Sequence, residues 1–347
     1  MGNHGHSTGP WRSLLAATLA LCLGVAVPRW PAQQHPPAQQ PAPAQASVLV
    51  EPDAGIAPIY RLLQAPRRTL DMTMYELVDP VAEAILAADA ARGVRVRVVL
   101  DRNREGRRNA AAFSYLASRG VSVRWAPSGY AATHEKAFVV DVGSADATAV
   151  VMTLNLTSRY YSDTRDLAVV GRSPAEVTAI ESVFAADFAG RPAPLATSAA
   201  GLVWSPGAEP ALAALIASAR YSVAVESEEM SDRAVVDALA AAARSGRRVE
   251  IVMTSDRYYD QELSQLAAAG AQVHLFPDNP SALYVHAKVV VVDAGHPGAR
   301  VFVGSQNFSY ASLTYNRELG LITADPAAVR VASAVVAGDF GAARPYP

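Results

Sequence analysis

Short apolar runs alternate along this chain with longer stretches of helical spacing. TLDMTMY (69–75) reads as a strand, and VRVRVVL (94–100) is the next one. Between them Asp79 and Pro80 supply an N-cap and a first-turn proline for a helix expected to run to about Arg92, and Gly93 closes it. The same order recurs later, where VEIVM (249–253) follows Gly246 as the strand at 94–100 follows Gly93. Strands alternating with helices of this length predict an α/β fold, a sheet held between helical layers.

Near the C-terminus the apolar run is broken in a regular way. VHAKVVVVD (285–293) carries a histidine, a lysine and an aspartate among valines, and GSQN (304–307) comes shortly after. Charged residues inside a buried strand are costly unless they face a cleft. On a strand, His286 and Lys288 would share one face. An earlier stretch, THEKAFVVD (133–141), repeats the spacing: His286 lies 152 residues after His134, Lys288 152 after Lys136 and Asp293 152 after Asp141. Asn307 keeps that offset from Asn155, and Arg317-Glu318 keep it from Arg165-Asp166. Upstream, residues 70–101 parallel 223–256 at an offset of 153. The chain is therefore an internal duplication whose unit is a whole domain. Two lobes are expected, at 47–198 and 199–347, with both histidines at one shared interface.

The spacing H-x-K-x-x-x-x-D followed by G-S-x-N, here HAKVVVVD (286–293) and GSQN (304–307), resembles the signature of the phospholipase D superfamily. The resemblance implies two tandem homologous lobes, each a mixed β-sheet flanked by α-helices, related by a pseudo-twofold and sharing an active site. It also implies a phosphodiesterase in which one imidazole attacks phosphorus and the other protonates the leaving alcohol, then activates water. His134 is by resemblance the nucleophile and His286 the acid/base; the spacing itself does not distinguish them. Lys136 and Lys288 would hold the phosphate oxygens with Asn155 and Asn307, so that neither metal nor cofactor is expected. A histidine nucleophile needs a carboxylate behind its other nitrogen. Asp166 and Glu318 stand where the family keeps that acid, which leaves His134 with the shorter side chain of its own lobe. Asp141 and Asp293, ending their strands, take a supporting role. The first lobe departs from the pattern in MTLN (152–155), where Met152 and Thr153 replace Gly304 and Ser305. Thr153 keeps the hydroxyl, but the close backbone approach of a glycine to phosphate is lost there.

Other residues join the picture more loosely. Glu76 and Glu229 align at the ends of their strands, where clefts of α/β sheets open. Tyr160, Tyr161, Tyr310 and Tyr315 follow the two asparagines and could line a substrate mouth. The basic run RNREGRR (102–108) could meet a phosphate-rich partner, although such runs usually face solvent. His274 has no counterpart and reads as structural.

Composition narrows the function. The 347 residues are 51% hydrophobic and carry a formal net charge of −2, without the basic surplus of a nucleic-acid binder. Arg12 precedes the apolar run LLAATLALCLGVAV (14–27), which with Gly24-Val25-Ala26 reads as a signal peptide over 1–26, hence export to the extracellular side; an uncleaved membrane anchor is the alternative. The Pro/Gln/Ala-rich segment at 27–46 reads as a disordered tether. Cys22 is the only cysteine and lies in the apolar run, so the mature chain would have no disulfide and no thiol nucleophile. The substrate expected is a phospholipid at a membrane or micelle surface, hydrolysed to phosphatidic acid and a free alcohol, with nucleic acid as the alternative. Both half-sites lie in one chain, so a monomer suffices for catalysis.

Overall fold

The computed structural model describes residues 46–193 and 201–347. The signal peptide, all but the last residue of the tether, and the junction expected at 198/199 lie outside the described residues.

The first sheet is built from β1 (Ser47–Glu51), β2 (Thr69–Met74), β3 (Arg95–Leu100), β4 (Ser122–Trp125), β5 (Lys136–Val140), β6 (Thr148–Met152) and β7 (Thr164–Gly171), in the order β1-β7-β6-β5-β2-β3-β4. Strands β2, β3 and β4 run parallel and the rest pair antiparallel, so the sheet is mixed. The second sheet repeats the plan with β8 (Leu202–Ser205), β9 (Ser222–Ser227), β10 (Arg248–Thr254), β11 (Gln272–Phe276), β12 (Lys288–Val292), β13 (Arg300–Gly304) and β14 (Glu318–Thr323), in the order β8-β14-β13-β12-β9-β10-β11. Helices α1 (Ala57–Gln64), α2 (Pro80–Ala91), α3 (Gly106–Ser118) and α4 (Pro174–Phe188) belong to the first lobe. Helices α5 (Glu209–Ala217), α6 (Arg233–Arg244), α7 (Asp260–Ala268) and α8 (Pro326–Ala342) are their counterparts.

The boundaries follow the local signals. Asp79 caps α2 by accepting from the N–H groups of Val81 and Ala82, Pro80 takes the first turn, and Gly93 leaves the helix at φ +93°. Alternation then sorts the faces of each sheet. Along β5, Phe138 and Val140 pack with α1–α3 and Ala137 and Val139 turn the other way. Along β12, Val290 and Val292 face α5–α7, while Val289 and Val291 turn inward. The inward faces of both sheets, with α4 and α8, form one continuous core across the lobes.

Buried ion pairs tie the lobes together as well. Arg165 of the first lobe grips Asp339 on α8 through Nε (2.5 Å) and Nη2 (3.0 Å), and Arg317 of the second reaches Asp187 on α4 at 2.9 Å. Replacing Arg165 by Met should cost about 3–5 kcal/mol of stability in chemical denaturation, because Asp339 would stay buried without its cation.

Glu135 is buried beside that second pair, and its pKa is pushed up to about 8, by burial first and by the neighbouring Asp187 next. A carboxyl kept protonated by folding stabilises the fold in full below its unfolded value of 4.5 and loses that contribution as pH climbs through about 8. Melting temperature should therefore fall between pH 5 and about 8 by more in the native chain than in Glu135→Gln, measured by calorimetry in parallel buffers.

Candidate active site

The strands of the repeated motif begin at Lys136 and Lys288, one turn of alternation later than the spacing suggests. Each histidine sits in the extended segment leading in, and that segment pairs with the opposite lobe. Thr133 bridges Arg317 in parallel, and the His134 N–H donates to the Arg317 carbonyl at 2.9 Å. Tyr284-Val285 likewise pair with Thr164-Arg165, and the His286 N–H donates to the Arg165 carbonyl at 3.2 Å.

This pairing sets each imidazole beside the acid of the other lobe. His134 Nδ1 lies 2.8 Å from Glu318 Oε2, and His286 Nδ1 lies 2.7 Å from Asp166 Oδ1. The expectation that Asp166 backs His134 is thus corrected: the carboxylates are exchanged. The reason is that residues 165 and 317, one before each acid, carry the carbonyls that the incoming histidine segments bind. Each acid is itself held in place. Thr153 Oγ1 donates to Asp166, while Ser312 Oγ (2.6 Å) and Asn316 Nδ2 (2.9 Å) donate to Glu318.

With Nδ1–H engaged by a carboxylate, Nε2 of each ring is the atom free to do chemistry. Burial holds the pKa of His134 below its ordinary value, with Lys136 pushing the same way and Glu318 opposing. A neutral ring with its proton on Nδ1 presents a lone pair at Nε2.

Lys136 and Lys288 are fully buried beside the histidines and are not among the residues that line the cavity the histidines share. Lys136 Nζ donates to the His134 carbonyl at 2.7 Å and lies 4.9 Å from the centre of the Tyr75 ring, which also meets His134 edge-on. Lys288 Nζ donates to the His286 carbonyl and, at 2.7 Å, to Glu228. Burial, and then the charge of Lys288, pull the pKa of Lys136 down to about 7.

His134, His286, Asn155 and Asn307 line one cavity of about 590 Å³. The Oδ1 atoms of Asn155 and Asn307 are buried there with no partner among the described residues. The cavity wall is rich in carboxylates, with Glu76, Glu105, Asp163, Glu229 and Asp278 around it. Arg108, from the basic run at 102–108, is folded onto that wall, 3.2 Å from Glu76 and 3.5 Å from Glu105.

Other predicted residues stand behind the site. Thr153 and Ser305 accept from the N–H groups of Leu167 (2.9 Å) and Leu319 (3.2 Å), so their hydroxyls fasten the acid-bearing strands and do not line the cavity. The glycine of the second lobe answers to packing. A Cβ on Gly304 would stand 2.5 Å from the Gly320 Cα and 2.8 Å from the Phe302 ring. At the equivalent positions the first lobe carries Val150, Met152 and Ala168, all buried in its core. Asp141 and Asp293 lie at the far ends of β5 and β12. They cap the starts of β2 and β9, accepting from the backbone of Arg67, Arg68 and Thr69 and of Arg220, Tyr221 and Ser222. Burial alone would raise the pKa of each, and these N–H groups outweigh it. Tyr160 and Tyr161 line the cavity, whereas Tyr310 and Tyr315 are exposed and packed against each other. His274 stacks on Phe340.

Besides Tyr75, Ser312 and Asn316, two cavity residues that sequence reasoning missed are Tyr284 and Glu228. Tyr284 lines the cavity and donates to Glu228 at 3.0 Å. Glu228 itself aligns with Tyr75 at the offset of 153, and the one available signal was this exchange of a ring for a charge at equivalent positions.

Comparisons with known proteins bear on the family and the fold. The family model described as cardiolipin synthase, PLD-like domain, matches residues 59–188 and again 212–338. No curated protein sequence matches the chain. Among solved structures, phosphatidylserine synthase from Haemophilus influenzae Rd KW20 matches with TM-score 0.65 and 14% identity, covering 87% of each chain. Polyphosphate kinase from Porphyromonas gingivalis matches with TM-score 0.66 and 16% identity over 84% of this chain, which spans 46% of the kinase. Nuc from Salmonella typhimurium, a phospholipase D family member, is 24% identical over 42% of this chain and 95% of its own, with TM-score 0.37.

The depressed pKa of Lys136 has a measurable consequence. A dialkyl phosphate, whose single charge is fixed near neutrality, should be bound fully below pH 7 and more weakly above it, because binding restores the ammonium. At pH 8, titration calorimetry in buffers of different ionisation enthalpy should register uptake of up to about one proton, absent in Lys136→Met.

Proposed function

The chain belongs to the phospholipase D superfamily through its two PLD-like segments, and from that premise we propose that it hydrolyses phospholipid head groups, yielding phosphatidic acid and the free alcohol. The observation that carries the reading is the pair of imidazoles in one cavity, each fixed at Nδ1 by the other lobe's carboxylate.

In this reading His134 Nε2 attacks phosphorus. The P–O bond to the head group breaks, His286 gives its proton to the departing oxygen, and a phosphohistidine remains. His286 then takes a proton from water, the hydroxide displaces the imidazole, and the enzyme returns to its starting state. Lys136 and Asn155 neutralise and orient the phosphate oxygens, and Lys288 and Asn307 add the cation and amide of the second half-site.

The wall of the cavity favours lipid over the nucleic-acid alternative. A polynucleotide would bring further phosphates against Glu76, Glu105, Asp163 and Asp278, a repulsion that a single diester avoids. The exposed rings of Tyr310 and Tyr315 suit the interfacial zone of a lipid surface. The apolar N-terminal run adds support for an exported enzyme working from the outer side.

Choline release from phosphatidylcholine vesicles in EDTA is the direct test. The native chain should be active, His286→Ala and His134→Ala should each lose about 10³-fold or more in kcat, and a quench with phosphorus-labelled lipid should leave label on the native protein but none on His134→Ala. Folded protein that releases no alcohol from any vesicle, yet cuts DNA at low salt, would sink the lipid reading.

A further inference from the structure

The two half-sites match in sequence register but differ in charge. At equivalent positions after β2 and β9, Tyr75 covers Lys136 with a neutral ring, whereas Glu228 places a carboxylate 2.7 Å from Lys288 Nζ. The same Glu228 oxygen lies 3.8 Å from His286 Nε2. An oxygen of a bound phosphate that touched both Lys288 and the reactive face of His286 would have to stand in this space. The next residue acts on the other donor of the half-site, with Glu229 Oε1 accepting from Asn307 Nδ2 at 3.0 Å. In the first lobe the counterpart Glu76 is turned to Arg108 instead. Tyr284 holds Glu228 in position from the cavity side, donating to its second oxygen at 3.0 Å.

We propose that Glu228, assisted by Glu229, is the specificity-determining residue of this site: its carboxylate occupies the phosphate-oxygen position of the second half-site and selects singly charged phosphodiesters over doubly charged phosphomonoesters. The inference rests on the phosphodiesterase reading and adds to it which charge state of phosphate the site retains. A diester brings one negative charge, which the first half-site, Lys136 beneath its neutral ring with Asn155, can accept while Glu228 stays close. A monoester or inorganic phosphate brings a second charge, and that charge must then lie a few ångströms from the carboxylate in a largely buried cavity. The monoester product is thereby expelled as it forms, which opposes product inhibition. Glu228 contacts Lys288 and Tyr284 and stands 3.8 Å from His286 Nε2, whereas the His134–Glu318 and His286–Asp166 pairs do not involve it, so charge selection is tested by ligand binding and not by turnover.

The test compares inorganic phosphate with a dialkyl phosphate as ligands of the native chain and of Glu228→Gln, by titration calorimetry at pH 8 with unfolding temperature recorded for both. Glutamine keeps the shape and loses the charge. Phosphate affinity in the variant should rise about tenfold or more relative to dialkyl phosphate affinity, the scale of one charge removed at close range. Tyr284→Phe, which frees Glu228 without removing it, should shift the same ratio in the same direction by less, and it serves as the second variant if Glu228→Gln unfolds. An unchanged ratio in both variants, with diester binding intact, would overturn the inference and leave the phosphodiesterase reading standing. Native protein that binds neither phosphate nor diester would overturn both.

Discussion

Everything at the candidate site depends on a backbone hydrogen bond given across the lobes. The N–H groups of His134 and His286 donate to the carbonyls of Arg317 and Arg165, the residues just before the two acids. That contact decides which carboxylate fixes which ring, and so which nitrogen of each ring stays free. It is reciprocal, as a pseudo-twofold arrangement requires, since each lobe gives the other what it takes. Neither lobe completes its own histidine.

The surrounding structure serves to hold that exchange. The side chains of Arg165 and Arg317 run through the same junction to Asp339 and Asp187, on helices of the opposite lobes. The valine-rich inner faces of β5, β6, β12 and β13 share one core, so the lobes cannot separate without exposing it. Asp141 and Asp293 perform a more local task, pinning the start of a neighbouring strand from a left-handed turn at φ +50° and +54°. This is why they recur in the motif although they sit at the end of the strand away from the chemistry.

Duplication leaves two half-sites that are free to diverge once they share a cavity. Here they have diverged in charge. The first presents Lys136 beneath an aromatic ring, and the second presents Lys288 already engaged by Glu228. The two rings therefore stand in unequal surroundings, with a carboxylate oxygen 3.8 Å from Nε2 of His286 and the Tyr75 ring edge-on to His134. Carboxylates also line the cavity the half-sites share, so the charge around the two lysines is set by more than the repeated motif.

Much was legible in the chain before folding was considered. The constant offset of 152 exposed the duplication, the Asp-Pro and Gly signals bounded α2 almost to the residue, and the repeated interval picked out the two histidines and two asparagines that line one cavity and the two lysines buried beside the histidines. These are local or periodic features, written by backbone geometry and side-chain spacing. What sequence could not disclose was long-range. The exchange of Asp166 and Glu318 between histidines, the use of Gly304 to admit the Phe302 ring, and the descent of Glu228 onto Lys288 all depend on which surfaces meet. Residues separated by 120 and 184 positions become hydrogen-bond partners only when two hydrophobic sheet faces close on one another, and burial decides that closure through the whole core and through no motif.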